Sequence, residues 1–129
     1  MSGQKVKCVL VVDDDADICD TVQTILEAYG YRVVAAEGGA EALDKLKRGE
    51  DPCLILLDLM MPGMNGLQFR SEQLRDPAIA AIPVVILSGD GSVAAKAAAV
   101  GVEGLAKPID LELLLETVRR FGCLPDAIE

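Results

Sequence analysis

The stretch Leu54–Gly66, LILLDLMMPGMNG, decides how this chain folds. Together with Cys53 it opens on an apolar run, Cys53 to Leu57, of strand length and without polar alternation. A run of that kind belongs to a strand buried on both faces, the mark of a parallel sheet covered by helices. Asp58 ends the run, Pro62 and Gly63 turn the chain, and a helix is expected from about Asn65 to Leu74, bounded by Asp76 and Pro77.

The same rhythm recurs on either side. Cys8 to Val12, Arg32 to Ala36 and Val84 to Leu87 are further apolar runs, with a weak fifth around Leu105 and Ala106. Between the first two, Ile18, Val22, Ile25, Leu26 and Tyr29 recur at helical spacing, with Gly30 where a C-terminal cap belongs. Further helices are expected from about Ala40 to Lys47, with Leu43 and Leu46 inward, and over the Ala-rich Val93 to Val100, stopped by Gly101. Leu111, Leu114, Leu115, Val118 and Phe121 define a last one. Strand alternating with helix predicts an α/β fold, a doubly wound (βα)5 unit with right-handed crossovers. Its expected form is a flavodoxin-like three-layer sandwich with a parallel five-stranded sheet in the order 2-1-3-4-5.

A length of 129 residues fits a single domain, 1–129, with its core from about 7 to 121. At 51% hydrophobic and 26% charged residues, the chain has ample material for a core and is far from a disordered composition. The net charge of −9 opposes direct binding to nucleic acid, whose affinity for proteins comes largely from Lys and Arg on phosphates. No apolar run approaches the length that spans a bilayer, and residues 1–7 carry no signal-peptide pattern, so the expected location is cytoplasmic, away from membranes. Cys8, Cys19, Cys53 and Cys123 are scattered, without a C-x-x-C pair, and are read as reduced thiols packed as small hydrophobes. The chain has no histidine, which excludes Ser-His triads and a phosphohistidine of its own.

In doubly wound sheets, ligands bind beyond the carboxyl ends of the strands. There the first strand ends in Asp13, Asp14 and Asp15, the third in Asp58, the fourth in Ser88 and the fifth in Lys107. Two carboxylates about 5 Å apart repel by roughly 3 kcal/mol at an effective dielectric of 20, so such a cluster calls for a cation. All-oxygen ligands point to a hard ion such as Mg²⁺, with Asp13 and Asp14 as its carboxylates. Asp58 then suits a carboxylate nucleophile toward phosphorus, with Lys107 neutralising the transferring oxygens and Ser88 donating a hydrogen bond to the product.

The segments VLVVDDD, LILLDLMMPGMNG, VVILSG and LAKP, in that order, resemble the receiver domains of response regulators in two-component signalling, and the resemblance runs from about Lys7 to Phe121. It implies Asp13, Asp14, Asp58 and the Met60 carbonyl around Mg²⁺, with Asp58 as the phosphoacceptor. Ser88 would sense the phosphoryl group, Lys107 would pair with it, and the Lys107–Pro108 peptide would be cis. Pro62, Gly63 and Gly66 would shape the loop, while Met60 and Asp90 flank the site and would tune the lifetime of the phosphoryl group. The implied partners are a histidine kinase or phosphotransfer protein and a downstream effector protein. The implied chemistry is self-phosphorylation and autodephosphorylation, not turnover of a separate substrate. One departure stands out: the family usually has an aromatic residue three positions before the lysine, where this chain has Gly104, and GVEGLAKP is one residue short. That would put output on backbone shifts.

Plainer roles compete for several residues. Asp15 is expected mainly to cap the first helix. Lys107 alone would be a solvated charge, Ser88 with Gly89 a turn, and Met60, Met61 and Met64 packing and loop geometry. Glu41, Asp44, Glu112 and Glu116 read as a solvated face. Two other functions stay open: a Mg²⁺-dependent phosphohydrolase using Asp13 and Asp15 as D-x-D, and a scaffold that signals without phosphate. The eight residues after Phe121, GCLPDAIE, suit a stand-alone regulator or an excised receiver piece.

Overall fold

The computed structural model describes residues 7–89, 93–99 and 102–123. Strands and helices alternate as β1 (Cys8–Val12), α1 (Ala16–Ala28), β2 (Arg32–Ala36), α2 (Gly39–Lys47), β3 (Pro52–Asp58), α3 (Gly66–Leu74), β4 (Val84–Ser88), α4 (Val93–Ala99), β5 (Glu103–Ala106) and α5 (Leu111–Arg120). The strands form one sheet, parallel as the alternation predicts, in the order β2-β1-β3-β4-β5 of the expected flavodoxin-like form. Val100 and Gly101, expected to end the fourth helix, lie outside the described residues.

The three central strands β1, β3 and β4 each serve two cores, which is why their apolar runs do not alternate. Val9, Val11, Leu54, Leu56, Val85 and Leu87 pack against α1 and α5, where Val22, Leu26, Leu114 and Val118 meet them. Their neighbours Leu10, Val12, Ile55, Leu57 and Ile86 point the other way, onto Ala42, Leu43 and Leu46 of α2, Phe69 of α3 and Ala97 of α4. Burying one such side chain fully is worth roughly 1.5–3 kcal/mol, so both layers are firmly seated. Leu111 departs from the expected inward set: it sits at the start of α5 and is 41% exposed.

Local signals set the helix ends. The Asp15 carboxylate accepts from the Asp17 N–H at 2.9 Å, and Asp110 does the same for Leu113 at 3.0 Å, each meeting a donor the helix cannot. Asn65 and Gln68 exchange side-chain to backbone bonds, both 2.9 Å, in a capping box. Gly30 leaves α1 at φ 90°, a conformation that favours glycine.

The expectation of four reduced thiols fails for one pair. Cys8 and Cys19 are free and buried, but Cys53 and Cys123 form a disulfide with Cα atoms 5.5 Å apart. The cause is a bulge that spacing in the sequence does not reveal. Cys8 pairs with Pro52 and Val9 with Leu54, so Cys53 is an extra residue in β3. Simple alternation would turn Cys53 away from Leu54; with the bulge, both face the α1/α5 layer, where the chain leaving α5 brings Cys123.

Candidate phosphoacceptor site

Parallel strands bring their carboxyl ends to one edge of the sheet, and a cleft of about 400 Å³ opens there. Asp13, Asp14, Asp15, Asp58, Met60, Ser88, Gly89 and Lys107 line it. The structure thus gathers from four strand ends the residues singled out in the sequence. Asp90 lies outside the described residues.

Asp13 is fully buried, with its N–H held by the Ala36 carbonyl at 3.1 Å, so β2 positions it. Its Oδ1 accepts from the Asp15 N–H at 2.9 Å. Its Oδ2 has no hydrogen-bond donor in good geometry among the described residues and rests on an ion contact of 2.7 Å with Lys107 Nζ. Asp58 ends β3, opposite Leu87, and is 5% exposed. Its Oδ1 accepts from the Met60 N–H at 3.3 Å and lies 3.7 Å from Lys107 Nζ. The Lys107 N–H donates to the Ser88 carbonyl at 2.8 Å, which joins the loop after β5 to the end of β4, and Lys107–Pro108 is cis.

Charge is concentrated here beyond what one cation balances. Burial raises the Asp58 pKa above its ordinary range, and the nearby Asp13 charge raises it further, against the Met60 N–H and Lys107. Burial alone would lower the Lys107 pKa, but contact with Asp13 and the charges of Asp13, Asp58 and Asp15 hold it above the usual lysine value. One oxygen each from Asp13, Asp14 and Asp58 lie within 4.8 Å of one another. A buried carboxylate oxygen without a hydrogen-bond donor, in a cluster of hard oxygen ligands, fits a divalent cation, so this cluster could hold a metal.

Glycines let the backbone close around Asp58. A Cβ on Gly66 would stand 2.6 Å from the Asp58 carbonyl oxygen and 2.7 Å from the Leu59 Cα, and Gly63 turns at φ 74°. The three loop methionines separate: Met61 is buried and Met64 packs on the second core, but Met60 is 72% exposed at the rim, so of the expected packing and loop geometry only the latter applies to it. Strand order brought Asp13 and Lys107 to the same edge in the sequence reading, but their direct contact, across 94 residues of chain, shows only in the packed sheet.

A second cleft, of about 520 Å³, lies at the opposite edge of the sheet. Its cations Lys7, Arg32, Lys45 and Arg48 contact Asp51, Glu50, Glu41 and Asp44 respectively, at 2.8 to 3.8 Å. Among the described residues, each cation lining this cleft meets a carboxylate.

Comparison with known proteins agrees with this geometry. Protein PilH of Pseudomonas aeruginosa is 34% identical over 113 residues, which cover 85% of this chain and 93% of that protein. The transcriptional regulatory protein ZraR of Klebsiella oxytoca is 35% identical over 122 residues, but this chain spans only 26% of its length. Among solved structures, the chemotaxis protein CheY4 of Vibrio cholerae superposes with a TM-score of 0.80 at 33% identity, covering 91% of this chain and 99% of that one. The receiver domain of NtrX from Brucella abortus gives 0.78 at 30% identity, covering 88% and 96%. With the response regulator receiver domain family matching residues 9–119, the chain belongs to that family, the receiver domains of two-component systems.

Proposed function

We propose that residues 1–129 act as one receiver domain in which a partner histidine kinase, or a phosphotransfer protein, phosphorylates Asp58. The observation that carries this reading is the convergence of Asp13, Asp14 and Asp58 oxygens within 4.8 Å, with Lys107 Nζ 2.7 Å from Asp13 and 3.7 Å from Asp58. Asp13, Asp14, Asp58 and the Met60 carbonyl would hold Mg²⁺. When bound, the ion supplies positive charge to the phosphoryl oxygens. Asp58 attacks phosphorus, the bond from phosphorus to the donor's nitrogen breaks, and an acyl phosphate forms on the carboxylate. Lys107 gives up part of its hold on Asp13 to pair with the new charge, and the Ser88 hydroxyl donates to a phosphoryl oxygen. Because Lys107 and Ser88 are joined through the backbone, their shift is felt in β4 and β5 and alters the surface offered to a downstream protein.

The chemistry is stoichiometric with the chain itself, ending in autodephosphorylation, and places the protein among switches. No helix among the described residues is long and apolar enough to cross a membrane, and the −9 charge argues against direct contact with nucleic acid, so we place the module in the cytoplasm with protein partners.

The test is intact-mass spectrometry after incubation with acetyl phosphate and Mg²⁺. A single phosphoryl adduct is expected, absent from Asp58→Asn and from a chelator-treated sample. No adduct on the native chain would favour a phosphate-independent scaffold, and steady release of phosphate with turnover would favour a hydrolase.

A further inference from the structure

Away from the phosphoacceptor site, the residues that stand out chemically are the two bridged cysteines. Cys53 enters β3 as the extra residue of a bulge, five positions before Asp58 on the same strand. Cys123 follows α5, after Gly122 has turned the chain at φ 81°, and its N–H bonds the Val118 carbonyl at 3.2 Å. Two independent local devices, a bulge and a glycine turn, thus aim two sulfurs at each other across 70 residues of chain. The reduced form is accommodated as well, because Cys53 Sγ lies 3.3 Å from the Cys8 carbonyl oxygen, which can accept from the thiol.

We propose that Cys53 and Cys123 are a reversible oxidation site, a second covalent modification of this chain that clamps the end of α5 to β3 and does not depend on Asp58 chemistry. The oxidant is a low-molecular-weight disulfide such as oxidised glutathione. The thiolate of Cys53, the less buried of the two residues, attacks one sulfur of that disulfide and releases a glutathione thiolate. Cys123, 3% exposed, then attacks Cys53 Sγ as a thiolate, breaks the mixed disulfide and releases the second glutathione. The two cysteine sulfurs lose two electrons, the oxidant gains them, and the two cysteine protons leave on the glutathione thiols. In a reducing compartment the open dithiol prevails, and oxidative conditions close the clamp.

The test equilibrates the full-length chain in buffers spanning ratios of reduced to oxidised glutathione. Aliquots are quenched in acid, alkylated in denaturant and mapped by mass spectrometry. A linked peptide joining Cys53 to Cys123 is expected at oxidising ratios, with only Cys8 and Cys19 alkylated, and four alkylated cysteines at reducing ratios. Cys53→Ser and Cys123→Ser should each abolish the link, and closing the clamp should raise the melting temperature by about 10 °C, as expected for tying a loop of this length. The proposal is overturned if glutathione stays on Cys53 while Cys123 remains alkylatable, or if the pair stays closed at reducing ratios. It is equally overturned if closed and open forms melt together.

Discussion

The two edges of the sheet carry charge in opposite ways. At the amino edge, Lys7, Arg32, Lys45 and Arg48 each meet a carboxylate, on side chains that are mostly well exposed. At the carboxyl edge, Lys107 faces Asp13 and Asp58, which are 0% and 5% exposed, with Asp14 and Asp15 beside them. Paired charges in water contribute little and ask for nothing further. Crowded, buried like charges are costly, and they persist where a ligand relieves them. The contrast sets the carboxyl edge apart from the amino edge, and it also says where substitutions will be felt.

The glycines should show the widest gap. Gly66→Val drives a side chain into the Asp58 and Leu59 backbone and should cost about 3 kcal/mol in urea unfolding. Gly49→Ala at the other edge meets open space at φ 109° and should cost only about 1 kcal/mol, from backbone strain alone. Equal losses would mean the carboxyl edge is not tightly built.

Lys107→Ala strands Asp13 against Asp58 and should cost about 3 kcal/mol without metal, recovered in part by Mg²⁺. Arg48→Ala, which breaks an exposed pair, should stay within about 0.5 kcal/mol. If the two variants unfold alike, the contrast between the edges is wrong.

Asp58→Asn should stabilise the metal-free protein by about 1 kcal/mol, since it removes a buried charge facing Asp13. Mg²⁺ should raise the melting temperature of the native chain, and the same variant should lose that rise. A native chain indifferent to Mg²⁺ would show that the cluster holds no cation.

The smallest effect belongs to Glu41, whose carboxylate accepts from the Glu37 N–H at 2.8 Å and so titrates below its ordinary value of 4.5, with help from Lys45. A depressed pKa stabilises the fold above the unfolded-state value and loses that contribution as pH falls through the folded-state value. Glu41→Gln should therefore cost a few tenths of a kcal/mol at pH 7 and progressively less as pH falls through the folded-state value, a modest figure because the pair is half exposed. A larger loss at low pH than at neutral pH would reverse the sign.

Much of the fold was legible because it is written in local periodicity. The helix over Ile18–Tyr29 showed in its spacing and its Gly30 stop, and the two-faced burial of Leu54–Leu57 showed in the absence of alternation. Boundaries were less legible. Phe121, counted with the last helix, proved to cap α5, whereas Asp58 ends β3 as expected. Met60 could not be told from Met61 by residue type, since a tight turn alone decides which faces water. The Cys53–Cys123 link was illegible for a related reason: one extra residue in a parallel ladder reverses the side a side chain faces.

What the amino-acid sequence determined by itself was the succession of elements and the chemistry at each strand end. Apolar period, caps and turn residues act over a few neighbours, and a strand's last polar residue is adjacent to it in the chain. What only the tertiary structure decided was which groups meet. The Lys107 contact with Asp13, the close approach of Gly66 to the Asp58 carbonyl and the bulge that turns Cys53 toward Cys123 all arise from strand order, register and packing. Those are set by the balance of many contacts between residues far apart in the chain, and no local pattern encodes the distance between two side chains.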